Sequence, residues 1–263
     1  MATYLNCICD VEFGQPNIII GGVSVFLSLF FLGTDRGAIS DYQADTEMIG
    51  EVFDAQAEFF VNERMRPHWS QAGAIVFVTF RTKDSIHREV LIRREREKND
   101  WLDRRGLRDG RVWHQIVPTL DGDTRNEFQQ TFNGCREDFL DTCHGQCLLL
   151  KPELAEIVSD SLLHFDGDRY RMGDFVVIPN HVHLLAAFGS PESMEAQFDS
   201  WLHFTAVRIN RAVGENGHFW QQEPFDHLVR SPEQYDYLRK YIAENPAKAG
   251  LVPGDYIDRR YSR

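Results

Sequence analysis

Three observations predict an α+β domain in which helices pack on an antiparallel sheet. Residues 74–80, AIVFVTF, are mostly β-branched or aromatic and contain no chain breaker, as in a buried strand. Two further apolar stretches, Tyr170–Val177 and His181–Phe188, are separated by the turn-forming step Pro179-Asn180 and predict a pair of strands. Apolar residues recur at spacings of three and four in several longer segments, which is the period of amphipathic helices.

Three helices are predicted between the first strand and the strand pair. Residues Glu89–Arg105 are dense in Arg and Glu around a few apolar positions, which predicts an exposed helix. Residues Asn126–Cys143 carry Phe, Cys and Leu at helical spacing and predict an amphipathic helix. Pro152 opens the third helix, because proline is favoured at the first helical position.

Two more helices are predicted after the strand pair. The first covers Glu192–Val213 and ends at Gly214, since glycine is favoured just past a helix C-terminus. The second begins at Pro232 and runs to about Glu244. The step Asn245-Pro246 predicts its end, because the residue before a proline is disfavoured in the helical region.

The composition is that of a soluble globular protein, but its charge is unevenly distributed. The chain has 263 residues, 43% hydrophobic and 26% charged, which excludes collagen-like, coiled-coil and wholly disordered chains. A net charge of -12 argues at first against a polyanionic partner. Residues 1–63 hold ten acidic side chains and one basic side chain, a balance of -9 that leaves -3 for residues 64–263. We therefore predict an N-terminal extension over residues 1–62 and a functional domain over residues 63–263.

The cysteines and the longest apolar run predict a cytoplasmic protein without a membrane segment. Five unevenly spaced cysteines do not form the pattern of a disulfide framework. Cys143, His144 and Cys147 resemble half a zinc site, but no second Cys/His pair follows at a suitable distance, so ordinary thiols are favoured. The 15 residues of Ile18–Leu32 are fewer than the ~20 that span a bilayer as a helix. They favour a strand pair or a poorly specified extension.

The second strand of the predicted pair carries two histidines on one face. His181 and His183 are two residues apart, and alternation along a strand places both imidazoles on the same side, opposite Val182 and Leu184. Two neighbouring imidazoles are a natural half-site for a divalent metal. The alternative, a histidine pair on a solvated sheet face, is the commoner case for such a pair alone.

The last predicted helix carries groups that could complete this site. Tyr237, Tyr241 and Asn245 follow one another at spacings of four, so they share one helix face. The amide oxygen of Asn245 is a competent ligand for Mg²⁺ or Mn²⁺. A tyrosine one turn from that ligand is placed as a nucleophile. The alternative is a helix that simply buries its tyrosines against the sheet.

Three motifs in this order resemble the REP-associated tyrosine transposases, which are single-tyrosine transposases of the HUH endonuclease superfamily. The motifs are FVVIPNHVHLLAAF, HFTAVRINRAVGENGHFWQQEPFDHLVRS and YLRKYIAENPAKAGLV. The resemblance covers roughly Phe59–Val252 and is densest over Arg171–Val252. It implies an antiparallel, ferredoxin-like sheet flanked by helices, with the histidines on a central strand and the tyrosine on a helix beside it.

The resemblance assigns a role to each residue of the site. It implies that His181, His183 and Asn245 hold a Mg²⁺ or Mn²⁺ ion and that Tyr241 is the catalytic nucleophile. Tyr241 would attack a phosphodiester of single-stranded, hairpin-forming DNA and form a 5′-phosphotyrosine, from which the strand is rejoined. The expected activity is that of a DNA transposase. Tyr237, on the same helix face, is the rival nucleophile.

Basic and aromatic side chains of the same region are candidates for DNA contact, because cations bind phosphates and rings stack on bases. The candidates are Arg208, Arg211, Arg230, Arg239, Lys240 and Lys248 for phosphate, and Trp220 and Phe219 for bases. Core packing is the alternative for the two aromatic residues. Asp226 and His227 could assist the site or cap a turn.

The chain departs from the family in three places, one of which is the pair of further tyrosines Tyr256 and Tyr261 near the end of the sequence, and two other functions stay open. Residues 85–146 are longer than compact members allow and predict a helical insertion, and residues 1–62 have no counterpart. One alternative function is an inactive or domesticated DNA-hairpin-binding protein. The other is a metal-dependent phosphodiesterase in which water attacks. The sequence also leaves open whether the protein is a monomer or a homodimer.

Overall fold

The computed structural model describes residues 18–20, 23–25, 47–63, 67–86, 88–133 and 144–262. The chain divides into two units. The unit called the helical unit here comprises Met1–Tyr42 and His87–Phe139. The unit called the sheet unit comprises Gln43–Ile86 and Leu140–Arg263.

In its described residues, the helical unit contains a short hairpin and three helices. In the hairpin, β1 (Ile18–Ile20) pairs antiparallel with β2 (Val23–Val25). Of the two interpretations of the apolar run Ile18–Leu32, a strand pair or a poorly specified extension, its described residues therefore show the strand pair. The helices are α1 (Arg88–Arg104), α2 (Trp113–Ile116) and α3 (Gly122–Asn133). No helix within the described ranges is long and apolar enough to cross a membrane.

The helical unit has its own apolar core. Its buried residues are Trp101, Leu102, Ile116, Val117 and Phe128. Helix α1 confirms the exposed helix predicted over Glu89–Arg105, since Trp101 and Leu102 are its two buried side chains. The helix predicted over Asn126–Cys143 is present as far as Asn133, and its remainder lies outside the described residues.

The sheet unit is built on a five-stranded antiparallel sheet. After a separate hairpin of β3 (60–63) and β4 (67–70), its strands are β5, β6, β7, β8 and β9, in the spatial order β8-β5-β7-β6-β9. Their bounds are Ile75–Arg81, Tyr170–Ile178, His181–Phe188, Phe225–Leu228 and Ile257–Arg259. The three central strands β5, β7 and β6 are those predicted from the sequence. The predicted α+β class, an antiparallel sheet flanked by helices, is therefore confirmed.

Three helices flank the sheet: α4 (Pro152–Leu163), α5 (Pro191–Val213) and α6 (Pro232–Lys248). Each begins with proline at its first position, where the missing N–H costs nothing. Helices α5 and α6 follow Ser190 and Ser231, whose hydroxyls accept a hydrogen bond from a backbone N–H of the first turn. Such N-caps satisfy donors that a helix start leaves without partners.

The two faces of the sheet bury different cores. Val182 and Leu184 of β7 lie in the cluster that packs under α4 and α5, together with Val76 and Val78 of β5. The opposite face packs against α6 and includes Phe77 of β5. Strand alternation therefore operates as predicted, and it turns the histidines of β7 toward α6.

Helix α6 is longer than the sequence predicted. Pro246 lies inside it, although proline removes a backbone hydrogen bond and crowds the preceding turn. Tyr241, Ile242, Asn245 and Pro246 are all buried, and we infer that this packing outweighs the local cost. The prediction that the helix ends at Asn245-Pro246 is therefore wrong, and Asn245 lies within the helix.

Residues 47–62, which the sequence assigns to an extension, belong to the sheet unit. Ile49 is buried in the cluster beside α6. The N–H of Glu51 donates to the carbonyl of Gly73 at 2.8 Å, and its own carbonyl accepts from the N–H of Ile75 at 2.8 Å. The N–H of Phe53 donates to the carbonyl of Val229 at 2.7 Å. A boundary at residue 62 therefore cuts through a packed segment.

Candidate active site

The two histidines of β7 meet at the centre of the sheet. Strand β7 is the third of the five strands, and His181 and His183 are completely buried. Their Nε2 atoms are 3.0 Å apart. The predicted pair on one face is therefore present, and the solvated sheet face that was its alternative is excluded by the burial.

Each imidazole is oriented by a hydrogen bond at its other nitrogen. The Nδ1 of His181 lies 2.8 Å from the Oδ1 of Asn180, whose Nδ2 donates to the carbonyl of His144 at 3.1 Å. Since an amide oxygen only accepts, the Nδ1 of His181 carries the proton and its Nε2 presents a lone pair. The Nδ1 of His183 lies 2.9 Å from the Oγ1 of Thr79. A hydroxyl can donate or accept, so His183 can present its Nε2 in either form.

Helix α6 adds the asparagine and the tyrosine to this pair. The side chain of Asn245 is completely buried and lies next to His181, whose pKa it raises. The ring of Tyr241 packs edge-on against His183, with centroids 5.2 Å apart. The ring of Tyr237 stacks on Tyr241 at 6.5 Å. The structure therefore brings together all four residues predicted for the metal and the nucleophile, and the packing on His183 favours Tyr241 over Tyr237.

A buried ion pair holds α6 against β6. The Nε of Arg239 lies 3.0 Å from the Oδ2 of Asp174, and both side chains are almost inaccessible. The pair also binds the C-terminal segment: the N–H of Tyr261 donates to Asp174, and Arg239 donates to the carbonyl of Tyr261 at 3.1 Å. These bonds satisfy both charges away from water, as a buried pair requires.

Burial keeps both imidazoles neutral. Loss of hydration lowers the pKa of His181 from 6.5 to about 3, and the charge of Arg81 adds to this, while the side chain of Asn245 opposes it. Burial also lowers the pKa of His183 well below its usual value, with smaller effects from His181 and Lys248. Neutral imidazoles have the lone pairs that metal ligation requires.

The two imidazole nitrogens are spaced as neighbouring ligands of one octahedral ion would be. No three His, Cys, Asp or Glu side chains of the described ranges form a metal-binding group, so the candidate set is two imidazoles and one amide. Two ligands at right angles, each about 2.1 Å from an octahedral ion, are about 3.0 Å apart. The Nε2 atoms of His181 and His183 have this separation, 3.0 Å. Two imidazoles and one amide are a softer donor set than the oxygen ligands that Mg²⁺ prefers.

Three of the residues predicted to contact DNA are buried: Trp220, Phe219 and Arg239. Trp220 is 5% exposed, and its Nε1 donates to the hydroxyl of Thr205 at 2.8 Å within the core under α5. Arg239 is 4% exposed and belongs to the ion pair with Asp174. Base stacking on Trp220 and phosphate binding by Arg239 are incompatible with this burial. The core-packing alternative is correct for Trp220 and also for Phe219, which is 5% exposed.

The remaining candidates for DNA contact differ in exposure. Arg208 and Arg211 are exposed on α5, and Arg208 lies 5.7 Å from the ring centroid of Phe204. Lys240 is exposed on α6. Arg230 is half-buried, and the loss of hydration lowers its pKa. Arg208, Arg211 and Lys240 are therefore accessible to a phosphate, whereas Arg230 is only partly so.

Asp226 and His227 lie on opposite faces of β8. His227 pairs with Phe77 of β5, and its ring lies 5.3 Å from that of Phe77 on the α6 side. Asp226 pairs with Val78 and forms a hydrogen bond with the Nδ1 of His68 in the β3–β4 hairpin. The two neighbours therefore do not act on the same site.

Two residues that orient the imidazoles, Thr79 and Asn180, were not predicted. Thr79 lies on β5 directly opposite His183, and no sequence signal gives the register between two distant strands. The role of Asn180 could have been predicted, because this residue directly precedes His181 in the motif FVVIPNHVHLLAAF. Of the suggested half zinc site, Cys143 lies outside the described residues. The thiol of Cys147 has its pKa raised by burial, which disfavours metal ligation.

Comparison with known proteins gives a match among solved structures. No protein-family model matches the chain, and no curated protein sequence matches it. A solved structure of a REP-associated tyrosine transposase bound to a REP hairpin is similar over 69% of this chain and 72% of its own. The TM-score is 0.38 and the sequence identity is 15%.

Proposed function

We propose that the protein is a DNA transposase that cleaves and rejoins single-stranded, hairpin-forming DNA through a 5′-phosphotyrosine. The observation that carries the proposal is the meeting of His181 and His183 on β7 with Tyr241 and Asn245 on α6. These are the four residues to which the motif resemblance assigns metal binding and nucleophilic attack. The preference for hairpin DNA comes from that resemblance.

The side chains of the site divide the chemistry between them. His181, His183 and Asn245 would hold a Mg²⁺ or Mn²⁺ ion, which when bound supplies Lewis-acid polarisation of the phosphate oxygens. Asn180 and Thr79 keep the two imidazoles oriented. The site is closed to bulk water on the sheet side, because β7 and its neighbours are buried.

Tyr241 performs the covalent step. Its Oη forms a bond to phosphorus while the bond from phosphorus to the 3′-oxygen breaks. The phenol loses its proton in this step, and the departing 3′-oxygen takes one up. Attack by another 3′-hydroxyl on the phosphotyrosine then reverses the chemistry and rejoins the strand without ATP.

The charge balance of the sheet unit is consistent with shape-dependent recognition. Residues 199–263 contain nine acidic and nine basic side chains. Non-specific binding to DNA depends on phosphate neutralisation by cations. We therefore expect weak binding to unstructured strands and a preference that depends on the hairpin.

A covalent adduct is the direct test of this function. Incubation with labelled hairpin oligonucleotides and Mn²⁺ is expected to give a protein–DNA band that survives a denaturing gel. The Tyr241→Phe variant retains the ring that packs on His183 and loses only the nucleophilic oxygen, so it should give no band. Tyr237→Phe is the matched control and should retain it.

The same assay separates the alternatives. An adduct that persists in Tyr241→Phe but disappears in Tyr237→Phe would identify Tyr237 as the nucleophile. Metal-dependent cleavage without any adduct would select a phosphodiesterase in which water attacks. Hairpin binding without cleavage, unchanged in His181→Ala, would select an inactive binding protein.

A further inference from the structure

Two cations lie beside the imidazole pair. Arg81 is half-buried at the end of β5, directly opposite His181 in the sheet, and its Nη2 donates to Gln221 at 3.1 Å. Lys248 lies in the last turn of α6, with its Nζ 4.9 Å from the ring centroid of Tyr241. Each cation interacts electrostatically with one imidazole, Arg81 with His181 and Lys248 with His183.

Lys248 forms an exposed ion pair with Glu244 of the same helix, and this weak pair leaves its ammonium group available for a ligand. Its Nζ lies 3.8 Å from a carboxylate oxygen of Glu244, and the two side chains are 44% and 46% exposed. A solvent-exposed pair of this kind on a helix surface is weak, because water screens both charges. A phosphate arriving over Tyr241 would therefore compete with Glu244 at little cost.

The charge of this site is unusual for a divalent-cation site. Sites that bind Mg²⁺ or Ca²⁺ on their own generally include carboxylates, whereas His181, His183 and Asn245 are neutral. A divalent cation at this set would be repelled by the charges of Arg81 and Lys248. A phosphodiester brings the missing negative charge and is attracted by the metal and by both flanking cations.

We propose that Arg81 and Lys248 bind the phosphodiester that faces Tyr241, and that the divalent cation and the DNA consequently bind this site cooperatively. The inference rests on the proposed function and adds to it that the affinity for the cation depends on DNA: the cation binds weakly until the phosphate is present. By linkage, the cation must then strengthen DNA binding by the same factor.

Binding measured without turnover tests the cooperativity. In a Tyr241→Phe background, which keeps the ring under Lys248, Mn²⁺ affinity is measured by calorimetry with and without a single-stranded hairpin oligonucleotide. The affinity is expected to rise by about 5- to 150-fold with DNA, the usual range of coupling between two ligands. DNA affinity measured with and without Mn²⁺ should change by the same factor.

Lys248→Gln in that background tests the role of the lysine, because it should change the affinities for DNA and for Mn²⁺ in opposite directions. Loss of the charge should weaken DNA binding and reduce the slope of log affinity against log salt by about 0.7. It should strengthen Mn²⁺ binding without DNA by roughly three- to eightfold. Lys248→Arg should restore both values toward those of the parent.

Lys151→Gln is the matched control, since Lys151 is an exposed lysine that precedes α4 on the opposite face of the sheet. A Mn²⁺ affinity that is equal with and without DNA overturns the cooperativity. Equal effects of Lys248→Gln and Lys151→Gln overturn the role of Lys248 while leaving the transposase function standing. Failure of the parent protein to bind hairpin DNA at all would instead overturn the proposed function, and the inference with it.

Discussion

At the scale of single residues, Thr79 allows either tautomer of His183 to face the candidate metal position. Its hydroxyl lies 2.9 Å from the Nδ1 of His183. Without a metal, the Nε2 of His183 can donate to the lone pair of His181, and the hydroxyl then donates to Nδ1. With both Nε2 atoms acting as ligands, the Nδ1 of His183 carries the proton and the hydroxyl accepts it. A threonine hydroxyl can therefore form a hydrogen bond with the Nδ1 of His183 both with and without the metal. An amide or carboxylate oxygen only accepts and could do so in one of the two states.

Removing this hydroxyl is expected to weaken Mn²⁺ binding. Thr79→Val keeps the shape of the side chain but leaves the buried Nδ1 of His183 without its partner. Substitutions of groups that orient metal ligands typically cost about 10- to 100-fold in affinity, and calorimetry on the hairpin complex would measure this. Thr79→Ser retains the hydroxyl and should remain near the parent value. An unchanged affinity in Thr79→Val would show that the hydroxyl does not orient His183.

At the scale of elements, α6 is the part of the fold that completes the site. It carries both Tyr241 and Asn245, and its position over β7 decides whether they reach the imidazoles. Arg239 fixes that position by pairing with Asp174 of β6, where a register shift between Met172 and Phe175 interrupts the regular pairing with β7. Arg239 therefore affects the site by holding α6 in position and not by contacting DNA.

Breaking this pair is expected to cost much more stability than breaking an exposed one. Arg239→Ala leaves Asp174 buried without its cation, and a loss of about 3–5 kcal/mol in unfolding free energy is typical of such a change. Arg259→Ala removes a partly exposed partner of Asp166 and should cost about 0–1 kcal/mol. Urea unfolding of the two variants makes the comparison. Similar losses in both would mean that the buried pair does not hold α6 in place.

At the scale of the whole molecule, buried histidines make stability depend on pH. Burial lowers the pKa of His181 to about 3 and, with the charge of Arg230, that of His227 to about 4, and it lowers that of His183 in the same direction. In the unfolded chain these groups take up protons below about 6.5. The unfolded state therefore binds more protons between the two values, and stability falls as the pH drops through this window.

The metal-free protein is expected to lose stability between pH 7.5 and pH 5. Each buried histidine contributes up to about 2 kcal/mol of loss at pH 5, and urea unfolding in the presence of a chelator measures the sum. His227→Leu removes one titrating group outside the candidate metal set, so its unfolding free energy should depend less steeply on pH. An equal slope in the parent and in His227→Leu would contradict a neutral His227 in the folded protein.

Local pattern was sufficient for the central elements and for the faces that the candidate residues share, while the motif resemblance selected Tyr241 over Tyr237 and gave Asn245 its role. The period-two alternation of β7 placed His181 and His183 on one face, and the spacing of four placed Tyr241 and Asn245 on one side of a helix. Local pattern failed where packing outweighed it. Helix α6 continues through Pro246, because the surrounding side chains are buried against the sheet. Charge balance also misplaced the boundary at residue 62, since Ile49 is a core residue.

The sequence by itself determined the α+β class, the three central strands and the shared faces of His181 with His183 and of Tyr241 with Asn245, because each depends on periodicity within one segment. The motif resemblance, not periodicity, joined these two pairs into one candidate site. Only the tertiary structure decided which groups surround them. Thr79 lies opposite His183 through the register of β5 with β7, and Arg239 is buried because it meets Asp174 across the gap between α6 and β6. The residues in these contacts are 104 and 65 positions apart in the sequence. No local periodicity encodes contacts over such separations. The exposure that separates a DNA contact from a core residue, as for Trp220, is likewise a property of packing.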